Sequence, residues 1–218
     1  MKSIKELKGT LPTDIYVLGS GPSLNYLTPK FFVNKITVGV NHIYKQFPCS
    51  YVVLHHGEHA QAVIDSGNEL VISETRLCIP GELMTFEGEY YQYKHKPQGF
   101  ANIDYSLLDS DDGLVVGETT IINAISFAYF LGAVNIILCG VDCGTINKEL
   151  HVRGYYPDNL PTKPRIRSNA MSPSPRIEEF ANVLRKRGVG VCSINPFINF
   201  SLEGNIYERK DATGNYNL

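Results

Sequence analysis

Gly19-Ser20-Gly21-Pro22-Ser23 puts two hydroxyls and two residues without a Cβ directly after the apolar run Ile15-Tyr16-Val17-Leu18. Glycine lets a backbone take unusual angles or come close to a bound group. The N–H groups of such a turn, with the hydroxyls of Ser20 and Ser23, can receive phosphate oxygens or a ribose. The order matches neither G-x-G-x-x-G nor a Gly-Lys-Ser/Thr phosphate loop. On its own it is either a ligand-facing turn or an ordinary strand-to-helix turn. Asn41-His42, after the run Lys35–Val40, and Asp142, after Asn135–Cys139, are two further polar tips. The ends of parallel strands gather along one sheet edge, where open α/β sheets bind ligands. That convergence argues for a site more than any single turn does.

Other residue groups invite chemistry. His55-His56-Gly57-Glu58-His59 formally fits the zinc-protease pattern H-x-x-E-H. That pattern needs a helix carrying both histidines, with a further ligand downstream. Here a strand runs straight into it and Gly57 interrupts it, which favours strand-end histidines beside a ligand. Asp109-Ser110-Asp111-Asp112 can hold Mg²⁺ between phosphates or form a solvated turn before Gly113. His151, Arg153, Tyr155 and Tyr156 lie close together, with Lys163, Arg165 and Arg167 beyond. Cations and phenols suit a phosphate or carboxylate substrate; a plain basic surface reads the same way. Cys139 and Cys143 lack the second pair that a structural zinc site needs.

Alternating elements must position these groups. Asp14–Leu18, Lys35–Val40, Ser50–Leu54, Glu69–Ser73, Asn135–Cys139 and Gly190–Pro196 read as strands, with a short apolar run over Arg76–Ile79. Short helices are expected within Leu24–Val33, where Thr28 can cap and Pro29 fits a first helical position, and over Glu58–Asp65. Thr119 or Thr120 can cap a central helix, apolar nearly all round, that stops at Gly132. Pro175–Arg187 is amphipathic, with Ile177, Phe180, Ala181 and Leu184 on one face. Residues 1–13 read as a polar, partly helical lead-in. Residues 80–112 read as an irregular insertion with one or two edge strands, and 145–173 as a lid-like loop. The pattern predicts an α/β protein: one Rossmann-like domain over 1–218 with a doubly wound, mostly parallel sheet.

Composition narrows the function classes. The chain has 218 residues, of which 43% are hydrophobic and 19% charged, as expected of a globular protein. A net charge of −2 offers no footprint for nucleic acid. No apolar run approaches the ~20 residues that span a bilayer, and Met1–Leu7 lacks a signal peptide's apolar core. Five scattered cysteines argue against a disulfide framework. A cytoplasmic location is expected, with self-association left open.

The ordered set Val17-Leu18-Gly19-Ser20-Gly21-Pro22-Ser23-Leu24, Gly39-Val40-Asn41-His42-Ile43-Tyr44, Gly117 to Gly132, and Ile136-Ile137-Leu138-Cys139-Gly140-Val141-Asp142 resembles the bacterial family-42 sialyltransferases. Those carry a Gly-Asn-Gly-Pro-Ser-Leu turn, a Cys-Asn-Gln-Phe-Tyr strand end, a Ser/Thr-Gly-rich helix start and a Ser-Gly-Ile-Asp strand end, in that order. The skeleton is also similar to the wider DUF115 group of motility accessory factors and hydroxymethylpterin diphosphokinases. The matched parts cover about two thirds of the chain.

The resemblance implies a Rossmann-like nucleotide-binding domain that transfers a sugar with inversion from a CMP-sialic-acid-like donor, without a metal, to a glycan acceptor. Under it, Gly19, Ser20, Gly21, Pro22, Ser23, Asn41, Thr119, Thr120 and Asp142 hold the nucleotide, with Ser20 where the family has an asparagine. Tyr155 and Tyr156 stabilise the leaving phosphate. The family's late-lid histidine has no counterpart in Ser168-Asn169-Ala170-Met171-Ser172, so His151 is the candidate base. No cofactor is implied beyond the nucleotide-sugar co-substrate. Two alternatives stand beside this: a Mg²⁺-dependent diphosphokinase of the hydroxymethylpterin type, with Asp109, Asp111 or Asp142 on the metal, and a non-catalytic nucleotide- or glycan-binding protein.

Overall fold

The computed structural model describes residues 1–54, 57–74, 85–94, 103–117, 119–143, 145–146, 149–156, 174–194 and 215–216. Its strands are β1 (Lys2–Ser3), β2 (Asp14–Leu18), β3 (Ile36–Val40), β4 (Tyr51–Leu54), β5 (Glu69–Ser73), β6 (Tyr91–Tyr93), β7 (Asn135–Cys139), β8 (Thr145–Ile146), β9 (Gly190–Ser193) and β10 (Asn215–Tyr216). The α-helices are α1 (Ala60–Asp65), α2 (Thr120–Phe130) and α3 (Ser174–Lys186). Eight strands form one sheet in the order β1-β6-β5-β4-β3-β2-β7-β9, and β8 pairs with β10 apart from it. The strand pairs of the main sheet are parallel, as the alternating pattern predicts.

From β2 the chain steps outward through β3, β4 and β5 to β6, then returns to place β7 on the other flank of β2. The order therefore reverses between β2 and β7, the point at which such sheets open a crevice at their carboxyl edge. The strands are apolar on both faces, as a sheet covered on both sides requires. One face carries Ile15, Val17, Val38, Val40, Ile136 and Leu138 against α2 and α3. The other divides in two: Leu18, Ile137 and Cys139 lie under Leu24, Phe32, Val152 and Tyr155, and Val52, Leu54, Leu70 and Ile72 lie under α1.

Three local outcomes differ from the sequence reading. The expected helix over Leu24–Val33 is two 3-10 turns, Pro22–Tyr26 and Pro29–Phe32. Each begins at a proline, whose fixed φ starts a turn but supplies no N–H to join the two into one helix. Thr28 stands at the cap of the second without a side-chain capping bond. The lead-in contributes β1, which pairs with β6 and leaves Ile4 fully buried. Within the insertion, β6 lies between β1 and β5, so β1 is the edge strand. The Arg76–Ile79 run lies outside the described residues.

Gly132, at φ +98, ends α2 as expected. Phe127 of α2 is fully buried, with its ring 5.2 Å from that of Tyr51 in an edge-to-face contact. Removing such a ring costs about 3–5 kcal/mol. Phe127→Ala is expected to lower the urea stability by that amount, and a loss under about 1 kcal/mol would mean that α2 is not the central packing element.

Candidate active site

The tips of β2, β3 and β7 lie side by side, because these are adjacent parallel strands with Leu18 in register with both Gly39 and Cys139. The turns after β2 and β7 clasp each other. Gly19 N–H donates to the Cys139 carbonyl at 2.8 Å and Gly21 N–H to the Gly140 carbonyl at 2.7 Å. Ser23 donates its N–H to Asp142 Oδ2 at 2.7 Å and its hydroxyl to Oδ1 at 2.6 Å. A Cβ on Gly19 would strike the Gly140 carbonyl, and one on Gly21 would come within 2.5 Å of the Asp142 carboxylate. The two glycines thus make room for a neighbouring turn, not for unusual angles; Gly21 has an ordinary φ of −70. Pro22, Ser23 and Asp142 are buried inside this clasp.

One strand over, polar groups face outward. Asn41 sits at φ +51 after β3, a conformation asparagine tolerates. Residues 149–156 of the lid-like loop are fastened here. Val152 N–H donates to the Ser20 carbonyl at 2.8 Å. Asn25 donates to Glu149 Oε2 at 2.9 Å and accepts from Arg153 N–H at 2.9 Å. Arg153 in turn reaches Glu149 Oε1 at 3.0 Å.

This fastening brings His151 Nδ1 to 3.0 Å from the Ser20 hydroxyl. The His151 ring stacks on Tyr155 at 5.1 Å and meets Tyr156 edge-on at 5.1 Å. Tyr155 is only 7% exposed, and its phenol faces the His42 backbone N–H, the Ser20 hydroxyl and the Asn41 amide. Sequence reasoning placed His42 at a polar tip but missed its packing. Its ring lies 4.3 Å from that of His59 and 6.0 Å from that of Tyr155, and its Nδ1 is buried without a hydrogen-bond partner. No spacing signal links residues this far apart in the chain.

Burial sets the protonation of the cluster. It lowers His151, against a hydrogen bond to the Ser20 backbone, and lowers His42 to about 4 with help from His59. It pushes the Tyr155 phenol up to about 12 and raises Tyr156. Asp142, 2% exposed, is pushed up to about 6 by burial although the Ser23 hydrogen bonds pull it down.

The remaining candidates stand elsewhere. Thr119 and Thr120 begin α2 on the same sheet edge, since the other end of α2 is tied to the residues before β2: Gly9 and Leu11 N–H donate to the Phe130 and Leu131 carbonyls, and Val134 N–H to that of Thr13. Thr119 Oγ1 is buried without a partner. Asp109, Asp111 and Asp112 pair separately with Arg187, Lys8 and Lys94, so they do not gather with Asp142 round a common point. Among the described residues no group of three or more His, Cys, Asp or Glu side chains is placed to hold a metal. Gly57–His59 forms a 3-10 turn ahead of α1. Residues His55, His56, Lys163, Arg165, Arg167 and 168–172 lie outside the described residues.

No family model matches the chain. No curated protein matches it either. Among solved structures it is similar to the MAf glycosyltransferase from Magnetospirillum magneticum AMB-1, at 15% identity and a TM-score of 0.53. That likeness covers 96% of this chain and 34% of the other, so the chain spans about a third of that protein's length. It is also similar to the sialyltransferase CST-II, solved in complex with a trisaccharide acceptor and CMP, at 12% identity and a TM-score of 0.47, over 93% of each chain. At 15% identity the likeness to the MAf glycosyltransferase is one of fold. Among the described residues no helix is long and apolar enough to cross a membrane.

The Asp142 carboxyl makes a test of the clasp. Its folded value, about 6, lies above the unfolded value of about 3.9, so the fold binds this proton more tightly than the unfolded chain does. The stability it contributes, on the order of 2–3 kcal/mol, is full below about pH 4 and is lost as pH rises through the folded value. Asp142→Asn keeps an acceptor for Ser23 N–H and a donor for its hydroxyl. Urea unfolding from pH 4 to 7 should therefore show a flatter profile for the variant than for the wild type. Equal slopes would remove Asp142 as the cause.

Proposed function

We propose that the chain is a sugar-nucleotide-dependent glycosyltransferase that uses a CMP-sialic-acid-like donor without a metal. The observation that carries this reading is the convergence of Ser20, Asn41, His151 and Tyr155 at the tips of β2 and β3. The shared fold with the MAf glycosyltransferase supports it. The nucleotide would lie beside the Gly19–Ser23 turn, whose members other than Ser20 are buried, and against Asn41, with the start of α2 at Thr119 and Thr120 presenting N–H groups to its phosphate. Asp142 would act through the clasp, by fixing that turn.

In the proposed reaction, His151 takes the proton from the acceptor hydroxyl through Nε2. The freed oxygen attacks the anomeric carbon of the donor from the opposite side. The bond from that carbon to the phosphate oxygen breaks, and its electron pair leaves with CMP. Tyr156, half-exposed beside His151, is placed to donate to the departing phosphate, while Tyr155 holds the cluster together. The lowered affinity of His151 for protons keeps its ring neutral, as a base must be.

The diphosphokinase reading is weaker, because Asp109 and Asp111 are paired with Arg187 and Lys8. Donor hydrolysis and thermal shift with a panel of sugar nucleotides, each with EDTA and with Mg²⁺, test the proposal. CMP is expected to raise Tm in EDTA, and His151→Gln to lower turnover by about 10²–10⁴-fold while CMP binding persists. No shift with any nucleotide would overturn the reading. Binding that requires Mg²⁺ would favour the diphosphokinase, and binding without turnover would favour a non-catalytic module.

A further inference from the structure

We propose that Ser20 is a positioning residue for His151 and not a contact for the sugar nucleotide. Its hydroxyl oxygen accepts the His151 Nδ1–H, which holds the imidazole in one tautomer and leaves the Nε2 lone pair facing the site. The inference rests on the reading of His151 as the base and explains how one neutral imidazole is kept competent for that role.

The geometry ties Ser20 to the loop twice. Its hydroxyl lies 3.0 Å from His151 Nδ1, and its carbonyl accepts the N–H of Val152, the next residue, at 2.8 Å. Both bonds end on residues one apart, so the loop cannot shift along the turn without losing both. The ring is also gripped from the sides, stacked on Tyr155 at an interplanar angle of 18° and edge-on to Tyr156 at 83°. Ring position is thus set by packing, and Ser20 is left to choose the proton's place, through its hydroxyl at Nδ1 and through its backbone, which also meets the ring. In a neutral imidazole, the bond made at one nitrogen decides which of the two is protonated.

The direction of the bonds follows from what each group can give. The Tyr155 oxygen already faces a backbone N–H, that of His42, which can only donate. The Ser20 hydroxyl is another partner of that oxygen and can give its proton to it. Ser20 then keeps its lone pairs for Nδ1–H. This order suits a base, because it serves both charge states: when Nε2 takes up the acceptor's proton, Nδ1–H still points at an oxygen, and the bond becomes charge-assisted. The reverse order would place the hydrogen on Nε2 and leave nothing there to accept a proton. The donor-contacting asparagine implied at this position by the resemblance would be replaced by a residue that acts through its neighbour.

Long-range ¹H–¹⁵N correlation spectra of the full chain, with His151 assigned by its loss in His151→Gln, read the tautomer without any substrate. The expected wild-type pattern is a protonated Nδ1 and a lone pair on Nε2. Ser20→Ala should move the proton toward Nε2, and Ser20→Thr, which restores the hydroxyl, should return it. In turnover, Ser20→Ala should lower kcat about tenfold or more with the CMP dissociation constant changed by less than about twofold. A wild-type Nε2–H, or an unchanged tautomer in Ser20→Ala, overturns the proposal. A loss of CMP affinity in Ser20→Ala with the tautomer intact makes Ser20 a nucleotide contact instead. A wild type that turns over no sugar nucleotide sinks the glycosyltransferase reading alone, since the spectra still judge the Ser20–His151 bond.

Discussion

The molecule is organised around the clasp between two turns that sit 119 residues apart in sequence at Ser23 and Asp142. β2 and β7 flank the place where strand order reverses, and an open crevice there would leave the N–H groups of both turns unpaired. The clasp fills it: Gly21 N–H and both Ser23 donors end on the β7 turn. The cost is a buried carboxyl, which burial drives toward its protonated form. A buried carboxylate without donors would be far worse, so Ser23 and Asp142 are obligatory partners. Filling the crevice also moves the accessible polar groups one strand over, to the tips of β2 and β3.

Everything in the candidate site inherits its position from that turn. Ser20 lies between the two glycines of the clasp, and the 149–156 segment hangs from its carbonyl and from Asn25. Val152 and Tyr155 drive the segment into the apolar cluster of Leu18, Leu24, Phe32 and Phe47. Burial of such side chains is worth roughly 1.5–3 kcal/mol each, enough to offset the ordering of a short loop. The stretch of the loop that carries His151 is therefore part of the core. Its catalytic candidate is held before any substrate arrives, which is what a site built on positioning needs.

The sheet was legible because its signals are local. Four- and five-residue apolar runs with β-branched residues mark strands buried on both faces, and the Thr119–Gly132 pattern carries its own start and stop. The convergence of the three polar tips followed from parallel order alone. The meaning of the tips did not. Nothing near Asp142 in sequence says that its partner is Ser23, and nothing near Gly19 says that a carbonyl of another turn occupies the place of its missing Cβ. The same small-residue turn serves strand packing or ligand approach, and only the neighbouring strand decides between them. β1 escaped notice because two residues carry no periodicity; its pairing with β6 is a tertiary choice.

The electrostatics of the cluster constrain what it can do. His42 and His151 are depressed and Tyr155 and Tyr156 raised, each chiefly by burial, so these four side chains are uncharged near neutral pH. Arg153, the nearest cation in the segment, is engaged by Glu149. A negatively charged ligand would thus meet dipoles here: the start of α2 and the Tyr156 phenol. Dipoles aimed in advance bind an anion without the desolvation cost of a fixed cation. They also leave His151 without a neighbouring positive charge to hold its affinity for protons lower still. A base in such a setting needs only a fixed tautomer to work, and the Ser20 hydroxyl lies in reach of Nδ1 to fix it, beside the Ser20 backbone that meets the same ring.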